Sequence, residues 1–186
     1  MNILVHTCQG RCIARPDSTL NKNGDDFYVP DAVRDLLYTP VVFARTGRSA
    51  KAVEEKFAQR YLDAVGFGLL LYPVGESGPS LAEDSVWDHS SLLPLPLYNK
   101  MTFEGEDNVF RILRDEKEIF SCPMKGIEEK IISALVSCTA KTYARTGDYV
   151  VAELAPAAAI CAPKTAICHI IAQFCGNEVM NFEIKY

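Results

Sequence analysis

Residues of metal-ligating type gather near the C-terminus, where Cys161, Cys168, His169 and Cys175 could in principle hold zinc. Structural zinc sites usually pair their ligands closely as Cys-x-x-Cys, and the chain has no such pair. Four further cysteines, at positions 8, 12, 122 and 138, bring the total to an odd number. With neighbours such as Ser137, Ile160, Ile167 and Phe174, all seven are expected to be reduced thiols buried as small hydrophobes. Ser18, Asp88 and His89 are types used in nucleophilic hydrolysis. No Gly-x-Ser-x-Gly elbow frames any serine, however, so His89 reads as an exposed loop histidine. His169, within an apolar run, reads as a hydrogen-bonded, half-buried side chain. Arg15 and Lys22 are cations that could meet a carboxylate, and for Arg15 a surface ion pair is the simpler expectation. Trp87, the single tryptophan, either anchors a partner or pins its loop to the core.

The elements that must position these residues are mostly strands. Residues up to Ile13 read as one short strand, followed by an Arg15–Ser18 loop and a turn over Asn21–Asp26. Phe27–Pro30 and Tyr38–Ala44 read as strands, the second limited by Pro40 to an edge or a bulge. Ser49–Ala64 predicts a helix with Ser49 as N-cap, because Val53, Phe57, Tyr61 and Ala64 recur at helical spacing. Val65–Tyr72 predicts a fully buried strand. Residues 73–100, rich in Pro, Ser and Gly, predict a long irregular excursion. A strand at Asn108–Arg114 and a helix over Gly126–Lys141, with Ile127, Ile131, Leu135 and Cys138 on one face, come next. A Thr146–Asp148 turn leads into a strand at Tyr149–Glu153 and a small-residue loop over 155–162. Strands near Ile167–Gln173 and Val179–Lys185 close the chain as a hairpin turning at Gly176 and Asn177. Strands outnumber helices without alternating with them, so the class is β-rich α+β.

The chain has 186 residues, enough for one domain, and a domain of that size buries about 70% of its unfolded surface without staples. Its 48% hydrophobic and 23% charged residues are ordinary globular values. A net charge of −5 argues against nucleic acid or an anionic membrane as partner. No apolar run reaches the ~18 residues of a membrane span, and no secretory signal opens the sequence, so a cytoplasmic protein is expected.

Three stretches in colinear order resemble the conserved domain of the fumarylacetoacetate hydrolase family. These are Arg15-Pro-Asp-Ser-Thr-Leu-Asn-Lys-Asn-Gly-Asp-Asp-Phe-Tyr-Val-Pro30, Lys56-Phe-Ala-Gln-Arg-Tyr-Leu-Asp-Ala-Val-Gly-Phe-Gly68 and Thr146-Gly-Asp-Tyr-Val-Val151. The resemblance implies a mixed β-roll of pseudo-barrel form, usually dimeric, that hydrolyses or decarboxylates β-diketo and 2-keto acids with Mg²⁺ or Mn²⁺. A hard cation of that kind polarises the keto acid through its oxygens and is held by carboxylates. The family's Glu-x-Glu positions fall on Thr39 and Val41 here, after a retained Tyr38, and its aspartate falls on Leu70. Its lysine falls on Ser91, its Thr-Gly-Thr-Pro loop on Glu153-Leu-Ala-Pro156, and its lid segment is shortened, leaving His6 without a neighbouring glutamate.

The resemblance therefore implies a single domain over residues 1–186 from which the metal ligands have gone. No metal, no cofactor and no catalytic residue is expected, and Arg15 alone is retained as a substrate-binding candidate. Asp31, Asp35 and Asp63 read as solvated surface charges. The expected role is binding, regulation or assembly, as a homodimer or paired with an active paralogue. The alternative is a hydrolase, decarboxylase or isomerase of a 2-keto or β-diketo acid with altered, metal-independent chemistry drawing on Arg15, Lys22 or His89.

Overall fold

A computed structural model describes residues 1–105, 108–161 and 167–186. Its first half is a hairpin, β1 (Ile3–His6) and β2 (Cys12–Arg15), then short strands β3 (Leu20–Asn21) and β4 (Phe27–Tyr28). Two 14-residue strands follow, β5 (Val33–Thr46) and β6 (Leu62–Gly75), and then a two-residue strand β7 (Ser91–Leu92). The second half holds β8 (Val109–Arg114), β9 (Lys117–Pro123), helix α1 (Ile127–Lys141), β10 (Tyr149–Glu153), β11 (Ala158–Ala159), β12 (Ile167–Phe174) and β13 (Asn177–Lys185). The architecture is β-rich α+β, as the patterning predicts.

Two mixed sheets carry the fold. One runs β2-β1-β10-β5-β6-β7-β3 with β11 also on β5, and the other runs β4-β13-β12-β8-β9. The Gly-Asp turn stitches the first sheet together. The buried Asp148 carboxylate accepts the Asn2 N–H at 2.7 Å and the Arg145 N–H at 2.8 Å, which sets β1 parallel to β10. Gly147, with φ +89°, makes the turn possible. At the other turn, Asn21 Oδ1 accepts the N–H groups of Gly24 and Asp25, both at 3.0 Å. The chain reverses there on a side-chain cap.

Helix α1 buries Ile127, Ile131, Ala134, Leu135 and Cys138 against the first sheet, with Glu128 and Glu129 in its first turn and Lys141 in its last. That charge order complements the helix dipole. Phe67, in the main core, stacks on Phe174 at 4.4 Å and on Phe110 at 5.3 Å, locking the two sheets face to face.

Several expectations are corrected. The opening segment is a hairpin and not one strand. Residues 49–64 form no α-helix: only a 3-10 turn at Glu55–Arg60 is present, and β6 begins at Leu62. The reason lies in the backbone donors. Ala50 N–H goes to Ala144 O and Ala52 N–H to Thr139 O, both at 2.8 Å, and Ala52 adopts φ +47°. Phe57, expected to face inward, is exposed, with Lys56 and Arg60 each 4.9 Å over its ring. Pro40 lies in a central strand. Its carbonyl accepts Leu154 N–H, so its missing N–H faces residues 154–157, where the neighbouring chain leaves the sheet between β10 and β11. In the last hairpin the positive-φ residues are Cys175 and Gly176 (φ +52° and +77°), one position earlier than expected. Ala162, the last residue of the expected small-residue loop, lies outside the described residues.

The cysteines also differ from expectation. Cys161, after β11, and Cys168, on β12, are joined in a disulfide, with Cα atoms 6.5 Å apart. Cys8 and Cys175 are exposed free thiols, not buried ones.

Candidate functional site

β5 and β6 pair antiparallel with Thr39 opposite Leu70 and Val41 opposite Gly68. Strand period then places Thr39, Val41 and Leu70 on one face of the first sheet. All three are 0% exposed. Val41 and Leu70 belong to a second apolar cluster with Ile3, Val5, Phe43, Tyr72, Leu93, Tyr149 and Val151. Thr39 Oγ1 donates to Ala155 O at 2.6 Å. The three positions converge, and they converge on packing. Tyr38 points to the opposite face, toward the main core, where burial raises the pKa of its hydroxyl.

Gly68 lets the covering chain approach, because a Cβ there would overlap the carbonyl oxygen of Leu92 on β7. Ser91 is buried beside Leu70, its cross-strand partner, and its hydroxyl meets Thr19 Oγ1 at 2.8 Å.

Arg15 is corrected from surface to interior: it is 1% exposed. Its guanidinium donates to the carbonyls of Leu71 (2.7 Å), Ser85 (3.0 Å) and Ser90 (3.3 Å) and to Ser90 Oγ (3.1 Å). It lies 5.0 Å from the centre of the Tyr72 ring. Burial lowers its pKa to about 10, against the opposing pull of Tyr72 and Glu153. Its hydrogen bonds pin the 84–90 stretch of the excursion to β6, and among the described residues it makes no ion pair with a carboxylate.

The polar centre that sequence reasoning passed over is Glu153, the acid ending β10. It is 8% exposed. Tyr72 Oη donates to its Oε1 at 2.7 Å, and the Cys8 N–H donates to its Oε2 at 2.8 Å. Burial, reinforced by this carboxylate, raises the pKa of both the Tyr72 hydroxyl and the Cys8 thiol. Glu153 lines two cavities. One, about 360 Å³, also has Arg11, Leu37, Tyr72, Leu81 and Asp84 on its wall; the other, about 460 Å³, has His6, Cys8, Glu129, Lys130 and Ser133. His6 thus shares a cavity with two glutamates distant in sequence. The signal available in the sequence was an acid closing an otherwise apolar strand.

Other candidates lie apart. His89 is exposed and lines a separate cavity, Lys22 is exposed, and neither lines the cavities at Glu153. His169 is half-buried and meets Asn181 Oδ1 at 2.6 Å. Asp31 and Asp63 are exposed, Asp63 binding Arg45 at 2.9 Å, and half-buried Asp35 binds Arg34 at 2.7 Å.

Among the described residues no cluster of three or more His, Cys, Asp or Glu is arranged to hold a metal, and no buried side-chain nitrogen or oxygen lacks a hydrogen-bond partner. The residues at positions 39, 41 and 70 do not fit a hard divalent ion: two are apolar, and the threonine hydroxyl is already bound.

No protein-family model and no curated protein matches the chain. Solved structures do. A fumarylacetoacetate hydrolase family protein from Yersinia pestis CO92 superposes with TM-score 0.80 at 13% identity, over 98% of this chain and 91% of that one. Fumarylpyruvate hydrolase from Pseudomonas aeruginosa, solved with Mn²⁺ and pyruvate, gives 0.72 at 11% identity, over 100% and 88%. A 5-carboxymethyl-2-hydroxymuconate delta-isomerase from Mycobacterium smegmatis gives 0.78 at 9% identity, over 99% and 78%. The chain has the fold of these hydrolases and isomerases, and no helix among its described residues is long and apolar enough to cross a membrane.

Proposed function

We propose that the chain is a fumarylacetoacetate hydrolase homologue whose metal-dependent cleft has been replaced by packing. It serves in binding, regulation or assembly, as a homodimer or beside an active paralogue, and not as a C–C bond hydrolase. The observation that carries this reading is the full burial of Thr39, Val41 and Leu70, the last two within a second apolar core. A divalent ion seated there would have to shed water without compensating carboxylates. Glu153, the cross-strand partner of Val41, is already engaged by Tyr72 and Cys8. Calorimetric titration of the purified protein with Mn²⁺ and Mg²⁺ tests it. No heat beyond dilution is expected up to millimolar ion, and a micromolar site would overturn the reading.

A second reading rests on the cavity of about 360 Å³ in which Arg11, Asp84 and Glu153 meet the Tyr72 ring. Cation and carboxylate in one cavity support metal-independent turnover of a 2-keto or β-diketo acid, with Glu153 as the proton acceptor. This version replaces Arg15, Lys22 and His89 as the working groups. It predicts turnover that survives a chelator and falls at least ~100-fold in Glu153→Gln. An oxo-acid panel without turnover would end it.

A further inference from the structure

Trp87, the chain's single tryptophan, lines a cavity of about 350 Å³ that neither reading above uses. The cavity forms where the excursion lies against β4, the edge strand of the second sheet, and its other walls include Asp26, Phe27, Tyr28, Asp88 and His89. The excursion wall is held firmly. The Trp87 carbonyl accepts from Ser90 N–H (3.4 Å) and Ser90 Oγ (2.5 Å), and His89, at φ +58°, donates its N–H to Ser18 O at 3.2 Å. A non-glycine residue in the left-handed region is costly and persists only where its surroundings fix it.

The charge around the cavity is negative. Lys185 binds Asp26 at 2.6 Å and Glu183 at 3.1 Å, and its ammonium lies 5.4 Å over the Tyr28 ring. Three carboxylates, Asp26, Glu183 and Asp88, therefore stand against one ammonium. Asp88 has no ion pair or side-chain hydrogen bond among the described residues, whereas both oxygens of Asp26 are taken by the Glu183 N–H and Lys185.

We propose that this cavity binds the quaternary ammonium group of a small molecule. Aromatic faces attract a cation through their quadrupole, and an uncommitted carboxylate adds long-range attraction. A primary ammonium would need several acceptors converging on one point, and Asp88 is the one carboxylate on the wall with no partner among the described residues. A quaternary one needs none, and its methyl groups suit indole and phenol rings. An anionic ligand is opposed by every carboxylate present. The volume lies within the range of small-molecule sites.

With one tryptophan, intrinsic tryptophan fluorescence reports on this site alone. Titrating the purified chain with tetramethylammonium chloride at constant ionic strength is expected to give a saturable change with half-saturation of order 1 mM. Tert-butanol, similar in shape but neutral, is expected to bind at least ~10-fold more weakly. Asp88→Asn and Tyr28→Ala should each weaken binding about five-fold. Tyr28 is 69% exposed, so its truncation leaves the core intact. A linear response, an equal response to tert-butanol, or binding untouched by both substitutions would overturn the proposal. A trimethyl-lysine peptide binding ten-fold more tightly than free trimethyl-lysine would overturn its assignment to a small molecule.

Discussion

Leu69 and Leu70 are neighbours on β6 and both are 0% exposed, yet they belong to different cores. Leu69 faces the main core, where stacked aromatic rings and long aliphatic side chains from the second sheet and α1 fill the space between regular elements. Leu70 faces a smaller cluster whose outer cover includes Leu20, Leu81, Leu93 and Leu97, from a short strand and the irregular excursion. The first face is closed by secondary structure, the second by a loop pinned through Arg15. Polar groups on the second face, Thr19, Thr39, Ser91, Arg15 and Glu153, are satisfied internally. Buried polar groups in a packed interior are ordinarily paired within the protein, and these are. By that criterion the second face behaves as core.

Breaking that comparison calls for a charge. Leu70→Asp places a carboxylate among apolar side chains, and it should cost about 4 kcal/mol or prevent folding. Urea denaturation measures the loss, and added Mn²⁺ should restore none of it. A cost below ~1 kcal/mol would mean that water already reaches this face. Leu69→Ala and Leu70→Ala sharpen the comparison with matched chemistry on opposite faces. Each should cost 2–5 kcal/mol, the usual range for emptying a packed leucine site, about equally on the two faces. A Leu70→Ala cost several-fold smaller than that of Leu69→Ala would show that the loop-covered side collapses or was never tightly packed.

Much of this arrangement was readable in the sequence because it is local. The apolar run Val65–Tyr72, the period of Ile127, Ile131, Leu135 and Cys138, and the Gly147-Asp148 turn each declare their element through neighbours in the chain. Ser49–Ala64 misled because helical spacing of Val53, Phe57 and Tyr61 says nothing about Thr139 and Ala144, which take the backbone donors of that segment. Arg15 misled for the same reason. Its partners lie 56 to 75 residues away, on β6 and on a loop whose path the sequence does not give. Glu153 was visible as an acid at a strand end, but its pairing with Tyr72 and Cys8 is purely tertiary. Cys161 and Cys168 are close in sequence, yet a spacing of seven by itself declares no bond.

The smallest expected effect tests the α1 side of the first sheet through His6, which strand period places with Leu4 on the main-core face. Burial lowers the pKa of its imidazole and Lys141 lowers it further, while Glu153 pulls the other way. A histidine whose folded pKa lies below its unfolded value binds fewer protons folded than unfolded across the interval between the two. Stability therefore rises with pH in that interval. It is fully present above the ordinary histidine value of about 6.5 and is lost as pH falls through the folded value. His6 is only partly buried, so solvent screening keeps the effect small. Melting temperature should fall modestly on acidification below about pH 6.5, and in His6→Gln this component of the slope should vanish. The difference between the two profiles isolates it from carboxylates titrating lower. If His6→Gln keeps the whole slope, protonation at that position meets no penalty, and the cavity beside Glu153 is wetter than the packed face behind it.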